Sequence, residues 1–393
     1  MAHIQTEIAP RFRKTAETFT AGAKTLPQRY FVSPEIFAQE QEQIFSQQWV
    51  LVGHQSQLAK AGDYFTAEIA GENLVVVRDK RGEIRGFYNV CRHRGSRLIE
   101  NRDGQLSAVI QCPYHAWTYG LDGRLIGAPH MDDVSGFDKA DYPLHRVNLG
   151  LWEGFIFVNL AEAGALTSIL SQRERRQQDR FVSLEDWFAP LKRKFSHWNM
   201  SLLQPAKRIE YDVRANWKLM FENYSECYHC PGVHPQLQKV SPYDSAENDL
   251  REGPFLGGFM KINPGKSLTM SGNACAAFVG KIENLQQVFY YSIFPNMLLS
   301  VHPEYVMVHQ LRPQSPERTL IVCDWLFHPD AFSRKDFNPQ DAIEFWDMTN
   351  KQDWHVCELS QQGISSRAYG PGPYSARESI PAAWDEYYLR QMR

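Results

Sequence analysis

Two short segments of this chain each carry one cysteine and one histidine, and both residue types bind metals. The first segment is Cys91–His93 and the second is Cys112–His115, with eighteen residues between His93 and Cys112. Strand-like sequence precedes both segments, so the two loops could hold one metal centre from two sides. Two thiolates and two imidazoles would suit tetrahedral zinc, but zinc sites usually pair Cys with Cys and His with His. The order C-x-H followed by C-x-x-H favours a Rieske [2Fe–2S] cluster, in which two Cys hold one iron and two His hold the other.

A second group of candidate ligands lies further along the chain. Asn223, Glu226 and His229 are spaced three residues apart, which predicts that they share one helical face. A Pro-Gly pair should end or kink that helix near Cys230 and turn His234 back beside His229. Taken alone, either histidine could be an ordinary core residue. Together they match the pair of imidazoles that non-heme iron(II) oxygenases combine with one carboxylate, which leaves one face of the metal open for O2 and substrate.

The missing carboxylate is predicted on a strong helix at 341–362. Asp353 lies in the inward-facing stripe of this helix, where a carboxylate is costly unless it is paired or bound to a metal. Asp347 falls on the polar face with Asn350, where it should be solvated. Asp353 is therefore the preferred third iron ligand, and Gly363 is expected to end the helix.

These segments resemble the Rieske non-heme iron oxygenases. The similarity covers C-R-H-R-G, C-P-Y-H-A-W-T-Y-G and Q-D-x-x-x-C-E-x-x-Q-x-G, and extends over the chain from about residue 30. Many members have Gly where this chain has Ala116, and Trp117 is expected to shield the cluster. The segment E-C-Y-H-C-x-x-x-H-P is similar to the branch that oxidises quaternary ammonium compounds, such as glycine betaine, stachydrine and carnitine.

The resemblance implies specific roles for the candidate residues. Cys91, His93, Cys112 and His115 would hold the cluster, His229, His234 and Asp353 would hold a mononuclear iron, and Glu226 and Asn223 would be catalytic. In the family a carboxylate links the second cluster histidine to the first iron histidine between neighbouring subunits of a trimer. By motif position this carboxylate is Glu226, where many ring-hydroxylating members have Asp.

The expected fold class is α+β, with a β-rich N-terminal Rieske domain and a C-terminal helix-grip catalytic domain. A helix should start at Ser33-Pro34, Leu74–Val77 should form a strand, and Leu121–Arg124 should form a hairpin turn. A charged stretch at 171–180 indicates a solvated helix or linker. The predicted segments are a helical lead-in at 1–45, the Rieske domain at 46–160, a linker or helical segment at 161–205 and the catalytic domain at 206–393.

Composition narrows the possible partners. The 393 residues carry a net charge of −3, so no global basic field would attract nucleic acid. Apolar runs are far shorter than a bilayer span needs, and the N-terminus lacks the apolar core of a secretory signal. Seven cysteines indicate a reducing compartment, so we expect a cytoplasmic protein without a disulfide framework. The Cys227/Cys230 pair is interpreted as structural packing.

The leading functional hypothesis is a monooxygenase that hydroxylates and demethylates a quaternary ammonium substrate. No nucleotide-binding fingerprint is visible, so electrons from NAD(P)H would arrive through a separate flavin or iron–sulfur reductase. The substrate cation would need aromatic side chains around it, with Phe289–Phe294 as one candidate wall. The alternative is the α subunit of an oxygenase that hydroxylates aromatic rings or aromatic acids. A Rieske electron carrier and a zinc module are weaker hypotheses.

Overall fold

The computed structural model describes residues 12–161, 182–277 and 286–393, and the charged stretch at 171–180 lies outside them. In chain order the strands are β1 (Arg13–Lys14), β2 (Val50–His54), β3 (Asp63–Ile69), β4 (Glu72–Arg78), β5 (Ile84–Tyr88), β6 (Asp103–Gln105), β7 (Val109–Gln111), β8 (Thr118–Gly120), β9 (Leu125–Gly127), β10 (Asn148–Trp152), β11 (Phe155–Asn159), β12 (Gln204–Val213), β13 (Glu247–Leu250), β14 (Phe255–Lys261), β15 (Gln287–Ile293), β16 (Met297–Val301), β17 (Val306–Ser315) and β18 (Arg318–Phe327). The helices are α1 (Arg29–Val32), α2 (Pro34–Glu40), α3 (Leu184–Trp187), α4 (Trp217–Tyr224), α5 (Cys230–Val233), α6 (Leu237–Val240), α7 (Pro339–Ile364) and α8 (Ser379–Gln391).

Contacts divide the chain into two compact units. One comprises Glu40–Lys192, and the other comprises Arg193–Arg393 together with the N-terminal residues up to Gln39. The domain boundaries expected from the sequence stay predictions. Each described helix is too short or too polar to cross a lipid bilayer.

The unit at Glu40–Lys192 is built from three small antiparallel sheets, ordered β10-β11-β2, β5-β4-β3-β6 and β7-β8-β9. The predicted strand at Leu74–Val77 lies within β4, and the predicted hairpin joins β8 to β9. Gly123 in this hairpin has φ +88°, and a Cβ there would come within 2.4 Å of the Phe87 ring. The turn therefore needs glycine both for its backbone conformation and for close packing.

The second unit is an eight-stranded antiparallel sheet, ordered β1-β13-β14-β15-β16-β17-β18-β12, with helices packed beside it. Helix α4 contacts both α7 and α8. Trp217 and Phe221 of α4 pack against Trp384 of α8, and all three side chains are buried. This arrangement confirms the α+β prediction of a β-rich N-terminal unit followed by helices on an antiparallel sheet.

Two helix ends test the sequence signals. Ser33 caps α2, as predicted, because its hydroxyl accepts the backbone N–H of Ile36 at 3.2 Å. The prediction that Gly363 ends the long helix is wrong, since α7 continues to Ile364. Ser365 completes that end by donating its backbone N–H to the carbonyl of Gln361 at 2.9 Å.

Candidate metal centres and substrate pocket

The two cysteine–histidine loops share one backbone pattern. The N–H of Cys91 donates to the carbonyl five residues on, and its own carbonyl accepts the N–H of Gly95. Cys112 makes the same two hydrogen bonds, with Ala116 in the place of Gly95. Gly95 and Ala116 both have left-handed backbone conformations, with φ +72° and +56°. A left-handed conformation favours glycine, so glycine would fit the backbone at Ala116 without strain.

The cysteines and histidines of these loops differ in solvent exposure. Both cysteines are buried, whereas His93 is exposed and His115 is half-buried. The two imidazole rings lie 4.7 Å apart between centroids, and Trp117 stacks on His93 at 4.8 Å. Trp117 thus covers one face of His93, and its shielding of a cluster stays a prediction.

The pKa shifts of Cys91, Cys112 and His93 differ in direction. Burial raises the pKa of Cys91 despite the Tyr119 hydroxyl beside its sulfur. Burial also opposes ionisation of Cys112, but backbone N–H groups of Tyr114 and His115 prevail and lower the pKa of its thiol. Partial desolvation by the side chains around it, together with the nearby His115 and Arg94, lowers the pKa of His93, which favours the neutral imidazole that binds metals. Two inner thiols and two outer imidazoles fit the ligand set of a Rieske cluster.

The second constellation converges on one point. His229 Nε2 and His234 Nε2 lie 3.2 Å apart, and Asp353 Oδ1 is 3.3 Å from the first and 2.9 Å from the second. Two imidazole nitrogens and one carboxylate oxygen therefore meet as the 2-His-1-carboxylate ligand set requires. The prediction that His229, His234 and Asp353 lie close together is confirmed.

The local path to this convergence differs from the prediction. Helix α4 ends at Tyr224, so Glu226 and His229 lie beyond it and do not share a helical face with Asn223. Glu226 instead accepts the backbone N–H groups of Tyr228 and His229, which stabilises a turn in place of a continued helix.

Both converging imidazoles are oriented by a second hydrogen bond. His229 Nδ1 bonds to Glu226 Oε1 at 2.5 Å, and His234 Nδ1 bonds to Gln352 Oε1 at 2.8 Å. Each Nδ1 faces a side-chain oxygen, so each Nε2 is left to point at the shared centre. Gln352 was missed by sequence reasoning, because only the final position of α7 shows that it reaches His234.

The electrostatics of the centre favour a positive charge. Burial opposes protonation of His229, but hydrogen bonds with Asp353 and Glu226 outweigh it and raise the pKa of His229 to about 10. Burial likewise opposes ionisation of Asp353, and the two histidines nevertheless lower the pKa of its carboxyl. The donor set therefore fits a bound metal cation.

The two candidate carboxylates of α7 have different surroundings. Asp353 lies at the histidine pair, whereas Asp347 accepts the Tyr211 hydroxyl at 2.9 Å and pairs with Lys351 at 2.6 Å. The prediction that Asp347 is simply solvated is wrong, since its side chain is only 24% exposed. Asn350 was also expected on the polar face and is in fact buried. The cause is β12, which packs Tyr211 against this side of the helix.

The cysteine pair near the iron site also departs from the prediction. Cys227 and Cys230 form a disulfide, whereas packing of free thiols was expected. The turn after Glu226 brings their Cα atoms to 5.0 Å, within the range that a disulfide needs. The other five cysteines are free and buried.

A cavity of 70 Å³ adjoins the histidine pair. Its aromatic lining residues are Tyr224, Tyr290, His309, Trp346 and Trp354, and its acidic ones are Glu226 and Asp353. No lysine or arginine appears among its described lining residues. Of the predicted wall Phe289–Phe294, one residue, Tyr290, lines this cavity, since alternate side chains of β15 face opposite sides of the sheet.

A larger cavity of 390 Å³ shares part of that lining. Tyr224, Glu226, Met260 and Tyr290 border both cavities. The larger one is also lined by the basic residues Lys14 and Arg377 and by the acidic Asp244. The small cavity, with its acidic and aromatic lining, and the larger cavity, with its mixed charges, are therefore neighbours that share lining side chains.

Comparison with known families assigns the chain. Residues 200–393 match the ring hydroxylating alpha subunit (catalytic domain) family, and residues 48–138 match the Rieske [2Fe-2S] domain. The chain is 32% identical to the glycine betaine monooxygenase oxygenase subunit of Chromohalobacter salexigens, with 90% of this chain and 82% of the relative covered. This chain belongs to the Rieske non-heme iron oxygenases.

Further relatives and solved structures support the assignment of this chain to the Rieske oxygenases. The carnitine monooxygenase oxygenase subunit of Escherichia coli K12 is 32% identical, with 91% of this chain and 89% of the relative covered. A solved quaternary ammonium Rieske monooxygenase superposes with a TM-score of 0.77 at 28% identity, covering 97% and 100% of the two chains. A naphthalene 1,2-dioxygenase at 17% identity shares the fold. The catalytic-domain match excludes both the zinc module and the electron carrier without catalysis.

Proposed function

We propose that this Rieske oxygenase hydroxylates an N-methyl group of a quaternary ammonium zwitterion. The supporting observation is the small cavity beside His229, His234 and Asp353, which has acidic and aromatic lining residues and no described lysine or arginine. The negative faces of aromatic rings attract alkylammonium cations electrostatically, and cages of such rings are a common way to bind quaternary ammonium groups. The relatives named for glycine betaine and carnitine support the same substrate class.

The reaction balances with one O2, two electrons and two protons. One oxygen atom becomes the hydroxyl of an N–CH2OH group, and the other leaves as water. The C–N bond of that carbinolamine then breaks, which yields formaldehyde, a proton and the demethylated amine. The demethylation step needs no further oxidant.

We assign the cluster to Cys91, His93, Cys112 and His115, and the iron to His229, His234 and Asp353. When bound, the iron supplies O2 activation with electrons received through the cluster. Glu226 and Gln352 accept hydrogen bonds from the Nδ1–H groups of the two histidines and hold both rings in position. Asn223 lines the same cavity at the end of α4, where it would contact the substrate.

The adjoining cavity accounts for the acidic end of a zwitterion. A substrate whose ammonium lies beside Tyr224 and Tyr290, which border both cavities, would extend its carboxylate toward Lys14 and Arg377. An aromatic acid lacks the cation that the small cavity favours, so the ring-hydroxylase alternative receives less support.

We further propose that the active form is a cytoplasmic homotrimer served by a separate NAD(P)H-dependent reductase. Glu226 of one subunit would then accept hydrogen bonds from its own His229 and from His115 of a neighbouring copy. This arrangement would give electrons a short hydrogen-bonded route between centres. The solved relative is described as showing inter-subunit electron transfer, which supports this assignment.

The test is a substrate panel with a compatible reductase. Glycine betaine, carnitine, γ-butyrobetaine, choline and several aromatic acids would each be assayed for oxygen and NADH consumption and for formaldehyde. We expect formaldehyde in proportion to oxygen consumed with at least one ammonium compound. Ring-hydroxylated products from an aromatic acid, without formaldehyde from any ammonium compound, would overturn the proposal.

A further inference from the structure

His309 is a polar residue of the small cavity that the metal centre does not use. It lies on β17, is 1% exposed, and its ring faces Trp354 at 5.8 Å and Tyr224 at 6.3 Å between centroids. Its Nε2 lies 3.2 Å from Asn350 Oδ1. Its Nδ1 has no hydrogen-bond partner among the described residues.

A chain of hydrogen bonds fixes which nitrogen of His309 carries the proton. Asp347 is paired with Lys351 and accepts the Tyr211 hydroxyl proton. The Tyr211 oxygen can then only accept, and Asn350 Nδ2 faces it at 3.4 Å. This leaves Asn350 Oδ1 to accept a hydrogen bond donated by His309 Nε2–H.

The opposite orientation of the amide is unfavourable. Rotating the Asn350 side chain would put its carbonyl oxygen against the Tyr211 oxygen, whose proton is already donated to Asp347. Two acceptors would then face each other. His309 is therefore protonated on Nε2, and its Nδ1 carries a lone pair. Burial also lowers the pKa of His309 to about 4, so the ring is neutral.

We propose that His309 Nδ1 is a specificity-determining acceptor for a hydrogen-bond donor carried by the substrate close to its ammonium group. The donor would be a hydroxyl near the cation or the N–H of a tertiary ammonium. This inference rests on the proposed function, since it concerns the same cavity. His309 would favour, among alkylammonium substrates, those that carry such a hydrogen-bond donor.

The two carboxylates of the cavity are engaged by the metal-centre histidines. Glu226 and Asp353 both bond to the iron-site histidines. His309 Nδ1 is already shielded from solvent and has no described partner, so a substrate without a donor leaves its buried lone pair unsatisfied, at a cost in free energy. A matched donor would remove that cost.

The experiment measures dissociation constants by calorimetry on the anaerobic holoenzyme with two matched pairs of compounds. L-carnitine and γ-butyrobetaine differ by one hydroxyl, and dimethylglycine and glycine betaine differ by an N–H in place of one N-methyl group. We expect the donor-bearing member of at least one pair to bind about tenfold more tightly, the size of one net hydrogen bond. The pair that shows the preference identifies the donor.

His309→Phe should reduce that preference to near unity while keeping an aromatic ring in the wall. Asn350→Leu is a second variant, because it leaves His309 in place but removes the group that fixes its proton. His302→Phe is the control: His302 is also fully buried, with both ring nitrogens lacking described partners, but it does not line this cavity. It should retain the wild-type preference.

The outcomes separate the two proposals. Equal binding within both pairs by the wild type, or a preference that survives His309→Phe, would overturn the acceptor role while leaving the proposed function intact. Failure of all four compounds to bind the wild type would overturn both.

Discussion

At the scale of single residues, Glu226 has two structural duties that need different tests. Its carboxylate orients His229 and also caps the turn through backbone N–H groups of Tyr228 and His229. A glutamine is nearly the same size, and its carbonyl oxygen can still accept one of these bonds. It cannot carry the negative charge that strengthens hydrogen bonds with two imidazoles.

We therefore expect Glu226→Gln to retain both metal centres and to slow substrate oxidation by orders of magnitude. The reductase should still reduce the cluster at its normal rate. Iron content, cluster reduction and product yield are measured on the same preparation, with Glu358→Gln on α7 as the control. Normal product yield would remove Glu226 from the electron route, and loss of iron would make it a ligand or a folding element.

The two aspartates of α7 give a matched comparison. Asp353→Asn should lose the mononuclear iron and turnover while the visible spectrum of the cluster persists. Asp347→Asn should keep the iron and lower stability by about 1 kcal/mol, since it weakens the Tyr211 and Lys351 contacts. Metal analysis and thermal melting check both variants. The reverse ranking of iron content would show that the wrong carboxylate had been assigned.

The left-handed backbone at Ala116 predicts that a substitution by glycine stabilises the fold. A left-handed backbone costs a non-glycine residue about 1–2 kcal/mol, of which the greater flexibility of glycine offsets about half. Ala116→Gly should therefore raise the melting temperature by about 1–3 °C without altering the cluster spectrum. Ala140→Gly, at an exposed site without positive φ, should lower it. A fall in melting temperature for Ala116→Gly would contradict the shared loop geometry.

Single residues were the most predictable part of this molecule. The seven metal-ligand candidates could be found because Cys, His and a costly buried Asp carry strong local signals. Gln352 and His309 could not, because a glutamine beside Asp353 and a histidine in a strand have no distinguishing pattern. Only packing of β17 and α7 brings them to the cavity.

At the scale of elements, the sequence predicted where the helices lie but not the residues at which they end. The long helix was predicted within two residues at each end, whereas α4 stops at Tyr224, before the motif that was expected to extend it. The periodicity of Asn223, Glu226 and His229 was compatible with a helix. The side chain of Glu226 competes for backbone N–H groups and favours a turn, which spacing alone does not reveal.

The contact of α4 with α8 predicts a pH effect on stability. Burial raises the pKa of Glu222 and raises that of Asp385 to about 7. Because the folded pKa of Asp385 exceeds its ordinary value, this acid favours folding most below about pH 4, and that contribution is lost as the pH rises through 7. The melting temperature should therefore fall between pH 5 and 8.

Asp385→Asn should flatten this slope, because the amide does not ionise and can still accept the Tyr374 hydroxyl. Asp212→Asn is the control: the hydrogen bond from Arg318 lowers the pKa of Asp212, so it stays ionised throughout this range. Thermal melts at each pH compare both variants with the wild type. An unchanged slope in Asp385→Asn would contradict the buried-acid account.

At the scale of the whole molecule, the two units carry separate metal chemistry. Cys91 lies in Glu40–Lys192, and the proposed iron ligands lie in the other unit. Cys91→Ser should therefore lose the Rieske EPR signal while iron remains bound at His229, His234 and Asp353. Metal analysis and EPR on the same sample check this. Retention of a full Rieske signal would refute the assignment of Cys91.

The central claim is that the reaction oxidises an N-methyl group, and a single-turnover experiment tests it without any reductase. Chemically reduced enzyme is mixed with 18O2 and the ammonium compound that binds most tightly, and the products are quantified by mass spectrometry. We predict formaldehyde and demethylated amine in equal amounts, with one 18O atom delivered to the carbinolamine carbon, and no such products from Asp353→Asn. An intact ammonium compound, with 18O found only in a ring-hydroxylated product when an aromatic acid is supplied instead, would contradict the account.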